Sequence, residues 1–333
     1  MKRFLINIIC IVLIPVLLVL GIFVWTDPFK ILHPFNIHDI DATNREYLST
    51  ELFLMNKDSV SYDSFIFSSS RGGGLNTYTW KMFLPDGSQP FLFQAWSESL
   101  TGIELKMRYI DEQGIPMRNA LILLDIPGSF SDEQLPKAAL SMKHYLFTGT
   151  PKWIYVLRQF ENFLGKPSEW VKSVEHKLSG YHEECVSNLI TNDWDRTNSE
   201  HYDTVPTWDS LQNMSAHTRQ LLLDQVSYQT DTDIVECQPV ITHEFEAQLR
   251  HIKALLDKHQ TDYHIIVTPG YAYTNSYINS ADLVFLESIF GADRVHDYSR
   301  RFGITKDYRY FQDPSHFGQR AGWVMLHEIY ESK

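Results

Sequence analysis

Four short, mostly apolar runs recur along this chain, and they limit the class of fold open to it. Runs of three to five apolar residues are typical of strands buried on both faces, whereas half-exposed strands alternate apolar with polar residues. Longer stretches separate the runs and leave room for crossover helices. We predict strands over these runs, at 64–67, 90–93, 120–124 and 264–268, and a fifth, shorter strand at 294–296.

Helical spacing of apolar residues fills the intervals between these strands. Alternation of strand and helix predicts a parallel sheet covered on both faces, a flavodoxin-like three-layer α/β/α sandwich. With 333 residues, of which 44% are hydrophobic, the chain can fill such a core. We predict helices at 99–109, 132–145, 243–258, 283–290 and 317–331.

Residues 149–239 interrupt the alternation. They contain helical stretches at 153–164 and 214–225 and no segment with the character of a strand. We interpret them as a helical insertion. Three roles stay open for it: a cap over the active site, a docking site for a membrane partner, or packing against the sheet.

The first 26 residues read as a membrane anchor. Residues 4–25 are almost wholly apolar, and about 20 helical residues are enough to cross a bilayer. Lys2 and Arg3 precede the run, so the positive-inside rule places the remainder, residues 27–333, outside the cytoplasm. A cleaved signal peptide is the alternative, but no small-x-small cleavage site follows the run. We therefore expect an uncleaved, single-pass anchor.

A serine cluster follows the first predicted strand. Ser70 stands just beyond residues 64–67, at the strand end where open α/β sheets bind ligands. A serine held there becomes a nucleophile when a base takes its proton. An oxyanion would take backbone N–H groups from Ser70 and from the surrounding glycines, Gly72 to Gly74, whose N–H groups are unencumbered by side chains. The alternative is an ordinary loop.

Asp313-Pro314-Ser315-His316 precedes the last predicted helix. His316 is suited to act as a base because an imidazole titrates near neutrality, and Asp313 is close enough in sequence to orient it. The alternative is structural: Asp313 or Ser315 is the N-cap of the helix. Capping leaves the histidine unexplained, so the sequence favours a Ser70–His316–Asp313 triad.

Other loops supply candidate binding residues. Tyr271 and Tyr273 follow the fourth strand and are suited to stack on a sugar, although packing is the alternative. Ser97 follows the second strand, and a backbone N–H between residues 95 and 97 is a second candidate for an oxyanion donor. Arg71 is suited to bind either an acidic substrate group or a neighbouring carboxylate. Asp125 reads only as the end of a strand.

The net charge limits the partners that the chain can bind, and the cysteines bear on the cellular compartment. The net charge of −12 argues against nucleic acid, which is bound through clustered lysines and arginines. Cys10 lies in the apolar run, whereas Cys185 and Cys237 would share an oxidising compartment, where a disulfide between them can persist. Spacings typical of a zinc site do not occur among the cysteines and histidines.

The serine motif, the late Asp-x-x-His and the apolar N-terminus together resemble the SGNH (GDSL-like) hydrolase superfamily. The resemblance is to its membrane-anchored bacterial branch, which includes the alginate O-acetyltransferase periplasmic proteins and the D-alanyl transfer protein of lipoteichoic acid synthesis. There the strand is followed by Gly-Ser-Ser, whose second serine corresponds to Ser70. The glycine is Ser68 here, and residues 123–128 replace the expected Gly-x-Asn-Asp block.

The resemblance implies a function in the bacterial cell envelope. It implies an SGNH-like domain on the periplasmic side of the inner membrane that hydrolyses or transfers acyl esters on a cell-envelope or exopolysaccharide glycan. A membrane-bound O-acyltransferase would deliver the acyl group to a transferase, and no cofactor or metal is required. The alternatives are a plain esterase and a non-catalytic scaffold subunit of an acyltransferase complex.

Overall fold

A computed structural model describes most of the chain. It covers residues 2–33, 44–131, 135–180, 188–193, 235–271, 277–307, 310–313 and 315–331. Side chains are not described for residues 2–10, 12, 302, 312 and 313. The predicted helix at 214–225, Cys185 and Tyr273 lie outside the described residues.

A five-stranded parallel sheet forms the centre of the fold. Its order is β2-β1-β3-β4-β5, which is the flavodoxin-like order. Each predicted strand is present within two residues of its predicted ends, and the α/β class is confirmed. The strands are β1 Ser64–Ser68, β2 Pro90–Gln94, β3 Asn119–Leu124, β4 Asp262–Val267 and β5 Val295–Asp297.

The remaining elements are helices and one short hairpin that follows the sheet in sequence. The hairpin consists of the antiparallel strands β6 Phe311–Asp313 and β7 His316–Phe317. The helices are α1 Lys2–Thr26, α2 Arg45–Asn56, α3 Thr77–Lys81, α4 Leu100–Glu112, α5 Tyr145–Thr148, α6 Lys152–Leu164, α7 Pro167–Ser179, α8 His243–Lys258, α9 Ser280–Phe290, α10 Phe302–Thr305 and α11 Gln319–Glu331.

Alternate side chains of the strands bury into two different layers. Ile66 and Leu92 point to one face, where they join a cluster that includes Trp80 of α3 and Met325 of α11. On the other face, Phe53 of α2 contacts the rings of Phe65, Phe91 and Phe93. The central strands are therefore buried on both sides, which explains their continuous apolar sequence.

One predicted helix is wrong. Residues 135–144 contain no helix, and only the single turn α5, Tyr145–Thr148, follows them. Pro136 lies inside the predicted span of 132–145, where its ring and its missing N–H disfavour a helix interior. The predicted helix at 153–164 is confirmed as α6, and α7 follows it directly.

The chain divides into two compact units. The sheet unit consists of Leu52–Leu135 and Val186–Lys333, and the helical unit of Met1–Glu51 and Pro136–Cys185. Val19 and Phe23 of α1 pack in the core of the helical unit with Tyr155 and Phe163 of α6. Among the residues whose placement is described, no helix has both the length and the apolar character required to cross a membrane.

The expected disulfide is not formed. Cys237 has a free, half-buried thiol. Burial raises the pKa of this thiol above its usual value, which lowers the fraction of reactive thiolate at neutral pH. A bridge between Cys185 and Cys237 therefore does not stabilise this fold.

Candidate active site

The serine turn begins where β1 ends. Ser68 is the last residue of the strand, and residues Ser70–Gly74 form a 3₁₀ turn directly after it. Ser70 is half-buried, and its Oγ lies 2.8 Å from Nε2 of His316. This is the contact that a serine nucleophile and its base require.

His316 reaches the serine turn from the β6–β7 hairpin. It is the first residue of β7, opposite Asp313 in the antiparallel register. The side chain of Asp313 lies outside the description, so its orienting role stays a prediction. Helix α11 begins only at Gln319, so the alternative that Asp313 or Ser315 is its N-cap is wrong.

Two glycines bring the hairpin and the serine turn into direct contact. A Cβ at Gly74 would overlap the ring of Phe317, the residue after His316. A Cβ at Gly322 of α11 would overlap the backbone carbonyl of Gly74. This close backbone approach is available only to glycine. It sets the separation between the turn that carries Ser70 and the elements that carry His316.

Ser69 has a different partner from Ser70. Its hydroxyl donates to Oδ2 of Asp125 and accepts from the backbone N–H of Arg71 at 3.1 Å. Oδ1 of Asp125 accepts a second hydrogen bond of 2.6 Å from the hydroxyl of Thr268. Ser69 is buried, and these contacts anchor the turn to the sheet.

The register of the sheet explains why Asp125 and Thr268 meet. Leu124, the last residue of β3, pairs with Val267, the last residue of β4. The next residue of each strand therefore lies at the same edge. Strands β1 and β3 are also neighbours, and the order reverses between them, so this edge is the topological switch point where α/β sheets bind ligands.

Arg71 contacts this network. Its Nη1 donates to the hydroxyl of Thr268 at 2.9 Å and lies 3.8 Å from Oδ1 of Asp125. Four-fifths of the side chain is buried. Of the two partners open to Arg71 from the sequence, the described structure therefore contains the neighbouring carboxylate.

Two expected oxyanion donors are already engaged. The N–H of Gly72 donates to the carbonyl of Ser69 at 3.0 Å, and the N–H of Ala95 donates to the carbonyl of Ser68 at 3.1 Å. Gly72 instead has a steric role, because a Cβ there would overlap the hydroxyl of the buried Ser68. These two N–H groups therefore have partners within the fold, and an oxyanion role for the N–H of Ser70 and for residues 96 and 97 stays a prediction.

The remaining candidate binding residues differ in exposure. Tyr271 is buried, and its ring packs on Phe311 at 5.6 Å, which agrees with the packing alternative rather than with stacking on a sugar. Ser97 is exposed with a φ of 51°. This left-handed conformation is uncommon for a residue other than glycine and is often found at functional sites. A substrate role for Ser97 stays a prediction.

A cavity of about 650 Å³ lies at the opposite edge of the sheet. It is lined by residues that precede the first three strands, including Asp63, Gln89 and Arg118. Ser70 and His316 follow the carboxyl ends of strands and do not line it. The cavity is therefore separate from the candidate active site.

Reasoning from the sequence missed Asp125 and Thr268 as members of this site. Asp125 directly follows the predicted strand 120–124, and Thr268 is the last residue of the predicted strand 264–268, so their positions at the carboxyl edge could have been found from the strand boundaries alone. Their mutual contact also requires the order and register of β3 and β4, which the sequence does not specify.

The chain matches no known protein family, and no curated protein is found to be similar to it. The SGNH resemblance therefore depends on the serine motif, the Asp-x-x-His motif and the apolar N-terminus.

Proposed function

We propose that this chain is an SGNH-like acyl ester hydrolase or O-acyltransferase that acts on a cell-envelope or exopolysaccharide glycan. The observation that carries the proposal is the 2.8 Å contact between Ser70 Oγ and His316 Nε2 at the carboxyl edge of a 2-1-3-4-5 sheet. The two residues are 246 positions apart, and both were selected from sequence motifs.

The proposed chemistry follows from this contact. Nε2 of His316 takes the hydroxyl proton while Ser70 Oγ attacks the acyl carbonyl carbon. The ester C–O bond breaks, the imidazolium returns the proton to the departing alcohol oxygen, and an acyl-serine remains. Water or a sugar hydroxyl then attacks the acyl-serine, with His316 again as base. Asp313 would hold the imidazole in the required tautomer.

Cellular placement is part of the proposal. We infer from the sequence that residues 1–26 anchor the chain in the bacterial inner membrane, with residues 27–333 in the periplasm. A membrane-bound O-acyltransferase would then supply the acyl group at the membrane. Alkaline phosphatase fused after Lys333 should be active in cells. An inactive fusion would contradict the topology and the compartment.

A non-catalytic scaffold is the second candidate. The N–H groups of Gly72 and Ala95 are bonded within the fold, and Asp125 stands where the resemblance leads one to expect an asparagine donor. A site with too few oxyanion donors loses much of its catalytic power, since one such donor contributes about 10²-fold or more. The scaffold would position a partner enzyme or its glycan.

Glycan acylation in cells separates these candidates. The gene is deleted and replaced by wild type, Ser70→Ala or His316→Ala, and the ester content of the glycan is measured. Loss of esters with either variant, at equal protein levels, supports a transferase, and a rise in esters supports an esterase. Unchanged acylation with Ser70→Ala, together with loss on deletion, leaves the scaffold.

A further inference from the structure

Helix α6 has a buried face and an exposed apolar face. Tyr155, Gln159 and Phe163 recur every four residues and are buried in the helical unit. Trp153 and Leu157 lie on another face of the helix and are 65% and 55% exposed. Four residues separate these two as well, so they are neighbours on one surface.

Helix α7 extends this exposed surface. It contains no buried residue, and Val171 and Leu178 are 61% and 72% exposed. Seven residues correspond to about two helical turns, so these two side chains share one face. The indole N–H of Trp170 donates to the carbonyl of Phe163 at 2.6 Å, which joins α7 to α6. We call Lys152–Ser179 the α6–α7 hairpin.

The hairpin is basic, in contrast to the chain as a whole. It has five lysines and arginines against three glutamates, whereas the net charge of the chain is −12. The basic residues are Lys152, Arg158, Lys166, Lys172 and Lys177, and the acidic residues are Glu161, Glu169 and Glu175. Exposed tryptophan, aliphatic side chains and lysines on one helical surface are typical of helices that lie in a membrane interface.

The hairpin packs on the buried part of α1, and another part of α1 is exposed. Phe23 of α1 contacts the rings of Phe160 and Phe163. The described α1 side chains that are fully buried begin at Val19, whereas Ile11 and Leu18 are 71% and 65% exposed. Two exposed apolar surfaces therefore belong to one packed helical unit.

We propose that the α6–α7 hairpin docks on the surface of an anionic lipid bilayer, with Trp153, Leu157, Val171 and Leu178 at the boundary between headgroups and acyl chains. Lysines beside this face would pair with anionic headgroups. The mixture of charged and apolar residues favours lipid over a protein partner, because the core of a protein interface is depleted of charge. The proposal rests on the membrane placement inferred above.

Site-specific fluorescence in lipid vesicles tests the proposal. The full chain, with its three cysteines replaced by serine, receives an environment-sensitive label at Leu157→Cys or Leu178→Cys. Val284→Cys is the matched control, because Val284 is a 64% exposed aliphatic residue on α9 of the sheet unit. Vesicles contain phosphatidylcholine alone or with phosphatidylglycerol, and a spin-labelled lipid serves as quencher.

Docking predicts quenching at residues 157 and 178 roughly threefold stronger than at residue 284, because the apolar face of an interfacial helix lies below the headgroups. Phosphatidylglycerol should strengthen this quenching, and Lys172→Glu with Lys177→Glu should remove the increase. If the protein floats with the vesicles but the labels at residues 157 and 178 are quenched no more than the label at residue 284, the docking proposal is overturned and the membrane anchor is not. Chain that fails to float would overturn both.

Discussion

Ser69 and Ser70 are adjacent and chemically identical, yet the fold gives them opposite environments. Ser69 is buried, and its hydroxyl bonds with the carboxylate of Asp125. Ser70 is half-buried and contacts the imidazole of His316. A carboxylate partner holds a hydroxyl as a donor, whereas a neutral imidazole can accept its proton and later return it.

This difference separates anchoring from reactivity within one turn. The Ser69 side, with Asp125, Thr268 and Arg71, fixes the turn to the ends of β3 and β4. The Ser70 side faces the β6–β7 hairpin and stays accessible. We infer that Asp125 is a positioning residue, which acts on Ser70 through Ser69 and the backbone of the turn.

The largest effect is expected on the Ser70 side. Ser70→Ala and His316→Ala should each lower kcat on the order of 10⁶-fold, and the double variant should lose no more, because the two residues act as one unit. Hydrolysis of an aryl acetate or glycan acylation in cells provides the measurement. Additive losses would contradict the pairing.

The next largest effect concerns the distance between the two elements that carry Ser70 and His316. Gly322→Ala places a methyl group against the Gly74 carbonyl and should cost about 3 kcal/mol of stability. A shift near 1 Å should also lower kcat about 10²-fold. Thermal unfolding and kinetics measure the two effects.

Gly303→Ala on α10 is the matched control, because a Cβ there meets nothing within 4 Å. It should leave activity unchanged and raise stability by up to about 1 kcal/mol. An equal loss of activity in both variants would argue against the close approach at Gly74.

Asp125→Asn tests the anchoring side. The asparagine amide has one acceptor oxygen where the carboxylate has two. Its NH₂ group would lie near Arg71 and the hydroxyls of Ser69 and Thr268. We expect kcat to fall about 10-fold with KM little changed, since loosening of the turn misplaces Ser70 without touching substrate. A change confined to KM would instead indicate that Asp125 binds substrate.

Ser69→Ala should have the smallest effect. It removes the hydrogen bond to the Asp125 carboxylate and the one accepted from the Arg71 N–H, together worth about 3 kcal/mol of stability. We expect a loss of roughly threefold in kcat because Thr268 and Arg71 still hold Asp125. Chemical denaturation and kinetics measure both. A loss as large as that of Ser70→Ala would reverse the roles assigned to the two serines.

Prediction from sequence succeeded where burial dominates. The strands were found because a strand covered on both faces must be apolar along its length, as in Phe65, Ile66 and Phe67. The β6–β7 hairpin was missed because its strands of three and two residues are too short for any periodicity. Helix 132–145 was predicted from apolar spacing that Pro136 overrides.

Within the candidate site, short local motifs selected Ser70 and His316. The partners of Ser69 and Arg71 were not selected, because Asp125 and Thr268 are separated by 143 positions and meet only through strand pairing. Tyr271 was assigned to substrate, and its burial against Phe311 depends on tertiary packing that no single segment encodes.

Covalent labelling with a fluorophosphonate tests the central claim most directly. The reagent phosphonylates a serine hydroxyl whose proton a nearby base removes, with release of fluoride. Intact mass and peptide mapping should find one adduct, on Ser70, in wild type and Ser69→Ala, and no adduct in Ser70→Ala or His316→Ala. An adduct on Ser69, or no adduct on folded wild-type protein, would contradict the assignment of Ser70 as a nucleophile activated by His316.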